Sequence, residues 1–277
     1  MPTPREECYT FTMSQLGAWR RGFHLALSRE LLYRLNFVLG RVREFVVFGT
    51  LIFVYRALPT GIGHYSQDQL LSYILLGALC SAPLFAYGMH QMAAEITEGE
   101  FTNYLLRPLS YFGYWSARMF ASRFILGVAG VFALGAMLFL FRGQTFFFQT
   151  DVRGWIQCGT LLIGSIIFVQ ILDFIGASFS FWMPRAHGPR WMITVLVQLL
   201  SGAYIPLDIF PEIIKNALVN LPFSFLLYGP IKAWIHPLTS HDFLRLLSVQ
   251  WLWILVSLIG LAFIWRRGVK TYEAYGR

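Results

Sequence analysis

Charge is scarce in this chain. Only 13% of its 277 residues are Asp, Glu, Lys or Arg, while 56% are hydrophobic. A soluble chain is usually about a quarter charged, and a soluble fold of this length has no core large enough to hide so much apolar surface. Cysteine is also scarce. Cys8, Cys80 and Cys158 form no CxxC, which leaves neither a disulfide framework nor a zinc motif. There is no GxxxxGK[ST] phosphate loop. The nearest fragment, Gly268-Val269-Lys270-Thr271, lacks the spacing that wraps phosphates in backbone N–H groups, so the chain does not hydrolyse ATP by that route. The six histidines, among them His24, His64, His187, His236 and His241, are scattered and make no HExxH pair. No residue reads as catalytic. No internal repeat is visible. The opening MPTPREECYTFTMSQ is polar and acidic and does not read as a signal peptide.

What the chain has is long charge-free runs. A bilayer core needs about 20 apolar helical residues. Residues 69–94, 124–141, 191–207 and 246–265 carry no charge, and 154–184 carry only Asp173. A weaker run, 45–55, reaches spanning length when extended back to Asn36, with Arg41, Arg43 and Glu44 then near one end. The expectation is an all-α polytopic membrane protein with six spans, at about 36–58, 69–94, 122–142, 155–183, 189–207 and 246–265. Several of the 26 Phe and 9 Trp sit beside charged residues at the ends of the runs, as aromatic belts do. The net charge of +8 sits at the ends of apolar runs rather than on a polar domain, which argues against a nucleic-acid partner. In the six-span arrangement sixteen of the 22 Lys and Arg fall on the side of the termini, which predicts both termini in the cytoplasm.

Three segments outside the spans have distinct character. Leu16, Trp19, Phe23, Leu27 and Leu31 recur at helical steps, which predicts an amphipathic surface helix over 12–35 lying on membrane lipid. Residues 95–118, EITEGEFTNYLLRPLSYFGYWSAR, are too short for a catalytic domain and suit docking on another protein. Glu95, Glu98 and Glu100 have no His at ligand spacing, so a docking face is favoured over a metal site. Residues 201–236 are too apolar for a solvated loop, yet Pro206, Pro211, Pro222 and Pro230 break them, which predicts two short helices dipping into the outer leaflet.

Asp173 is the one acid well inside a span. It either faces a water-filled path and contacts substrate, or is protonated or hydrogen-bonded to a neighbouring helix through Gln170 or a Ser. The second reading is preferred, because a lone acid is a weak signal. Gly77 with Ser81, and Gly176 with Ser180, suit close helix packing.

EITEGEFTNYLLRPLSYF, SGAYIPLDIFPEIIKNALVNLPFSFLLYGPIKAWI and the tail RRGVKTYEAYG, in this order, resemble the membrane subunits of ABC transporters of the type-2 exporter permease family. The likeness is to those paired with a second permease and a separate ATPase. The resemblance implies one transmembrane domain over 1–277 in a prokaryotic cytoplasmic (inner) membrane, working with a second permease copy, like or related. It implies that Glu95, Glu98, Gly99, Glu100, Thr102, Asn103, Arg107 and Pro108 form the segment coupling to a cytoplasmic ATPase. ATP and Mg would bind that partner, and no cofactor or metal would bind this chain. It implies an outer re-entrant hairpin over 207–236 that closes the exit. The path or gate is then assigned to Asp173, Ser201, Gly202, Pro206, Phe210, Pro211, Pro222 and Phe223. A mid-span carboxylate departs from the family pattern. Two other readings compete: an ion-coupled secondary transporter using Asp173, and an intramembrane enzyme, for which the spans supply no convergent groups.

Overall fold

The computed structural model describes residues 34–57, 65–86, 88–105, 110–143, 145–183 and 187–272, and among them every regular element is helical. The helices are α1 Arg34–Arg56, α2 Gln67–Leu84, α3 Gly88–Thr97, α4 Thr102–Leu105, α5 Tyr111–Leu140, α6 Val152–Ser178, α7 His187–Leu200, α8 Glu212–Asn220, α9 Tyr228–Ile235 and α10 Ser240–Thr271. The expected surface helix over 12–35 lies outside the described residues but for its last two positions, and Arg107 and Pro108 lie outside them entirely.

Four stretches among the described residues are long and apolar enough to cross a membrane: Gln67–Thr97, Tyr111–Leu140, Val152–Phe181 and Ser240–Thr271. Two expected spans fall short of that standard for different reasons. α1 has 23 residues but carries Arg41, Arg43 and Glu44. α7 has 14 residues, about 21 Å of helix against a hydrocarbon core of about 30 Å. It stops at Leu200, short of the expected 207, because Gly202 takes φ +75°, a left-handed turn conformation.

Local signals explain the other boundaries. Ser66 caps α2 through a reciprocal pair with Gln69, and Ser110, Asp151 and Thr239 cap α5, α6 and α10 through their side chains. The expected span 69–94 is two helices. Pro83 removes a backbone donor near the end of α2, and the chain bends before α3 resumes at Gly88. α5 starts at Tyr111, well before the expected 122, because Arg118 and Arg123 find partners inside the fold instead of marking a loop.

α2 packs chiefly on α5, while α6 packs on α10, α9 and α3. The approach of α2 to the chain after α7 is close: a Cβ on Gly77 would sit 2.8 Å from the Ala203 carbonyl oxygen. Buried irregular backbone must find hydrogen-bond partners. Ser165 Oγ donates to Phe225 O at 2.8 Å, Gln250 Nε2 to Leu161 O at 2.9 Å, and Gln157 exchanges two bonds with Leu238 at 3.0 and 2.9 Å. The outer faces of α5 and α10 expose Phe120, Phe124, Phe132, Trp251, Ile259 and Phe263. Apolar surface of that extent suits acyl chains, not water.

Candidate functional site

Three polar clusters among the described residues bear on function. The first is the turn between α3 and α4. Gly99 takes φ +83°, and the Phe101 N–H reaches back to the Glu95 carbonyl at 3.1 Å, closing the turn. The turn exposes Glu98, Glu100 and Asn103, with Gly99 and Thr102 half-buried. Phe101 points the other way and is 2% exposed. Its ring lies 5.1–5.6 Å from the rings of Tyr272, Tyr111, Trp265 and Phe181. Thr102 and Tyr272 share a hydroxyl hydrogen bond at 3.2 Å. The turn is thereby fastened to the ends of α5, α6 and α10.

Glu95, expected to serve docking together with Glu98 and Glu100, is engaged inside the protein. Its carboxylate accepts from Trp115 Nε1 at 2.9 Å and Tyr104 Oη at 3.3 Å, and Arg118 Nη1 pairs with it at 3.2 Å. Arg118 also lies over the Trp115 ring, 4.4 Å from its centroid. Burial first, and then the neighbouring Glu95 charge, raise the Tyr104 phenol above its ordinary range.

The second cluster lies inside the helices. Arg123, from α5, is 5% exposed and points Nη2 at Asp173 Oδ2 of α6, 3.1 Å away. Its Nη1 donates to Gln170 Oε1 at 2.5 Å, and the Met89 backbone N–H donates to the Asp173 carboxylate. Gln170 therefore serves the arginine, not the aspartate. Asp173 borders a cavity of about 360 Å³ together with Thr194 of α7 and Phe223, whereas Arg123 and Gln170 border a groove of about 650 Å³ between α5, α6 and α10. The ion pair forms part of the wall between the two. Sequence reasoning placed Arg123 at a cytoplasmic boundary. A basic residue within helical reach of an apolar run, facing a lone acid in another run, was the available signal.

The third cluster gathers around the 3-10 turn Leu207–Ile209. Asp208 accepts from Lys215 Nζ at 2.9 Å, Lys232 Nζ at 3.0 Å and Tyr65 Oη at 2.9 Å. Lys232 also donates to Tyr228 Oη at 2.8 Å. Burial works to raise the Asp208 carboxyl, but hydrogen bonds from Lys215 and Tyr228 and the Lys232 charge outweigh it and hold it below the usual carboxylate range. Burial and the adjacent Asp208 charge raise the Tyr65 phenol. None of these five residues is singled out from sequence: no periodicity or motif joins them, and Tyr65 lies 143 positions from Asp208.

The expected path residues scatter around this knot. Ser201 is fully buried, and its carbonyl accepts the Tyr228 N–H at 2.9 Å. The Gly202 carbonyl accepts Tyr73 Oη at 2.5 Å. Pro206 precedes the 3-10 turn, and Pro211 precedes α8, which has no buried residue. Pro222 is buried, while Phe210 and Pro211 are on the surface. Of the set, Asp173 and Phe223 border one cavity together.

Spanning-length apolar helices with exposed apolar flanks define a multi-pass membrane protein. The chain belongs to the ABC-2 transporter family: a family model described as ABC-2 family transporter protein matches residues 43–276. It is a permease component of an ABC transporter of the cell membrane. A search among curated proteins finds no match to the chain.

Proposed function

We propose that this permease is the path-forming subunit of an exporter. Two six-span copies, identical or related, would line the path, and a separate cytoplasmic ATPase, holding ATP and Mg, would drive it. The observation that carries this reading is the α3–α4 turn. It offers Glu98, Glu100 and Asn103 outward while Phe101 is caged by rings of α5, the end of α6 and α10. A push on such a turn moves three helix ends together, which is the task of a coupling segment. Both termini, by the basic-residue bias, lie on the cytoplasmic side with this turn. In the same reading α8 and α9 are re-entrant helices at the outer side, held closed by the Asp208 knot.

Arg123 gives Asp173 a fixed positive partner, which weighs against Asp173 as the ion site of a secondary transporter. The deciding experiment is purification of the tagged chain in mild detergent with co-purifying proteins identified by mass spectrometry. Recovery of a soluble nucleotide-binding subunit is expected, reduced by Glu98→Lys with Glu100→Lys. Recovery of the chain alone, with transport that survives ATP depletion and collapses with the proton gradient, overturns the proposal.

A further inference from the structure

A cavity of about 440 Å³ lies between α1, the α2–α3 bend, α5 and Gln198 of α7. That volume falls within the roughly 300–1,000 Å³ typical of small-molecule sites. Its charged lining is unbalanced: Arg41, Arg43 and Arg118 stand against Glu44 alone. Gln91 and Gln198 add amides, and Phe37, Phe85 and Leu126 supply apolar wall.

The cations are not equally committed. Arg41 pairs with Glu44 at 2.6 Å and Arg118 with Glu95 at 3.2 Å. Arg43 is exposed and has no ion pair within 4.0 Å among the described residues. Arg41 Nε is buried and has no hydrogen-bond partner among the described residues. A buried donor without an acceptor costs free energy until one arrives. The cavity is therefore rich in donors and short of acceptors, and guanidinium groups suit the oxygens of a phosphate. Beside it, α1 exposes Val38, Leu39, Val42 and Val46, so the surroundings of the cavity are apolar. A ligand that satisfies both features carries a phosphate and an apolar tail.

We propose that this cavity binds the phosphate headgroup of an anionic membrane lipid, with Arg41 and Arg43 as its cationic ligands. This stands on the cavity alone and holds whichever way the transporter runs. Arg43, exposed and without an ion pair among the described residues, adjusts selectivity without supporting the fold.

The test is native mass spectrometry of the purified full chain loaded with phosphatidylglycerol, with phosphatidylcholine, or with inorganic phosphate. Wild type is expected to keep phosphatidylglycerol under activation that strips phosphatidylcholine. Arg43→Gln is expected to lower that preference about tenfold, the worth of one charge-assisted hydrogen bond. Ser122→Phe, which fills the cavity from α5, is expected to abolish it, with melting of both variants followed alongside. If Ser122→Phe fails to fold, Arg43→Gln decides the matter by itself. Equal retention of the two lipids by wild type overturns the proposal. So does an unchanged preference in Arg43→Gln, or binding of inorganic phosphate with no lipid preference.

Discussion

Arg123 and Asp173, fifty positions apart in sequence, meet at 3.1 Å between α5 and α6, and neither is exposed beyond a tenth of its surface. Each offsets part of the cost of burying the other. An ion pair between two spanning-length helices fixes their relative height as well as their contact, because sliding one helix by a turn would strand both charges.

Removing one partner is therefore expected to be worse than removing both. Arg123→Leu or Asp173→Leu alone should destabilise the protein by about 3–5 kcal/mol, since each leaves an uncompensated buried charge. The double variant should recover most of that loss. Thermal melting in detergent, read as a double-mutant cycle, checks it, and additive losses would show that the pair contributes nothing as a pair.

Phe101→Ala empties the aromatic cage and should cost about 3 kcal/mol or more. The loss should be local: limited proteolysis between residues 98 and 105 is expected to speed up before the whole protein unfolds. Glu98→Lys and Glu100→Lys touch only exposed positions and should leave melting within about 0.5 kcal/mol of wild type. A Phe101→Ala turn as protease-resistant as wild type would remove the basis for transmission through this ring.

The Asp208 knot predicts an acid limb in stability. A carboxyl held below its ordinary value stabilises the fold while it is charged. That contribution is complete above the unfolded-state value of about 4 and declines as the pH falls below it. It is gone once the pH passes the depressed folded-state value. Melting temperature measured from about pH 3 to pH 7 should fall more steeply on the acid side in wild type than in Asp208→Asn. Parallel curves would mean the two lysines do not sense the Asp208 charge.

Gly202→Ala should be poorly tolerated for two reasons that add. The backbone sits at φ +75°, which costs a residue with a Cβ about 1–2 kcal/mol, and the new methyl would lie 2.8 Å from Tyr228 Cβ. A melting point unchanged from wild type would contradict the tight turn after α7.

Much of the fold was legible in the chain because hydropathy is a local property. The apolar runs around 69–94, 154–184 and 246–265 became helices α2 with α3, α6 and α10, and Pro211 and Pro222 bracket the short helix α8. Boundaries failed where charge was used as the marker. The charge pattern puts Arg118 at the end of the docking segment and Arg123 at the edge of a span, yet α5 runs through both, each with a carboxylate partner from another helix. Glu95 was grouped with Glu98 and Glu100 by spacing alone, and its helix turns it inward onto Trp115.

The sequence by itself determined the class of protein: too few charges for water, and apolar helices long enough for a bilayer. Those are counts and periods along one dimension, and the bilayer reads them one segment at a time. Only the tertiary structure decided which charges are paired, that Phe101 rather than the glutamates anchors the α3–α4 turn, and that Asp208 gathers Tyr65, Lys215 and Lys232. The reason is physical. Whether a buried charge or ring is stabilising depends on what stands within a few ångströms of it, and neighbours such as Tyr65 for Asp208 or Asp173 for Arg123 come from distant parts of the chain.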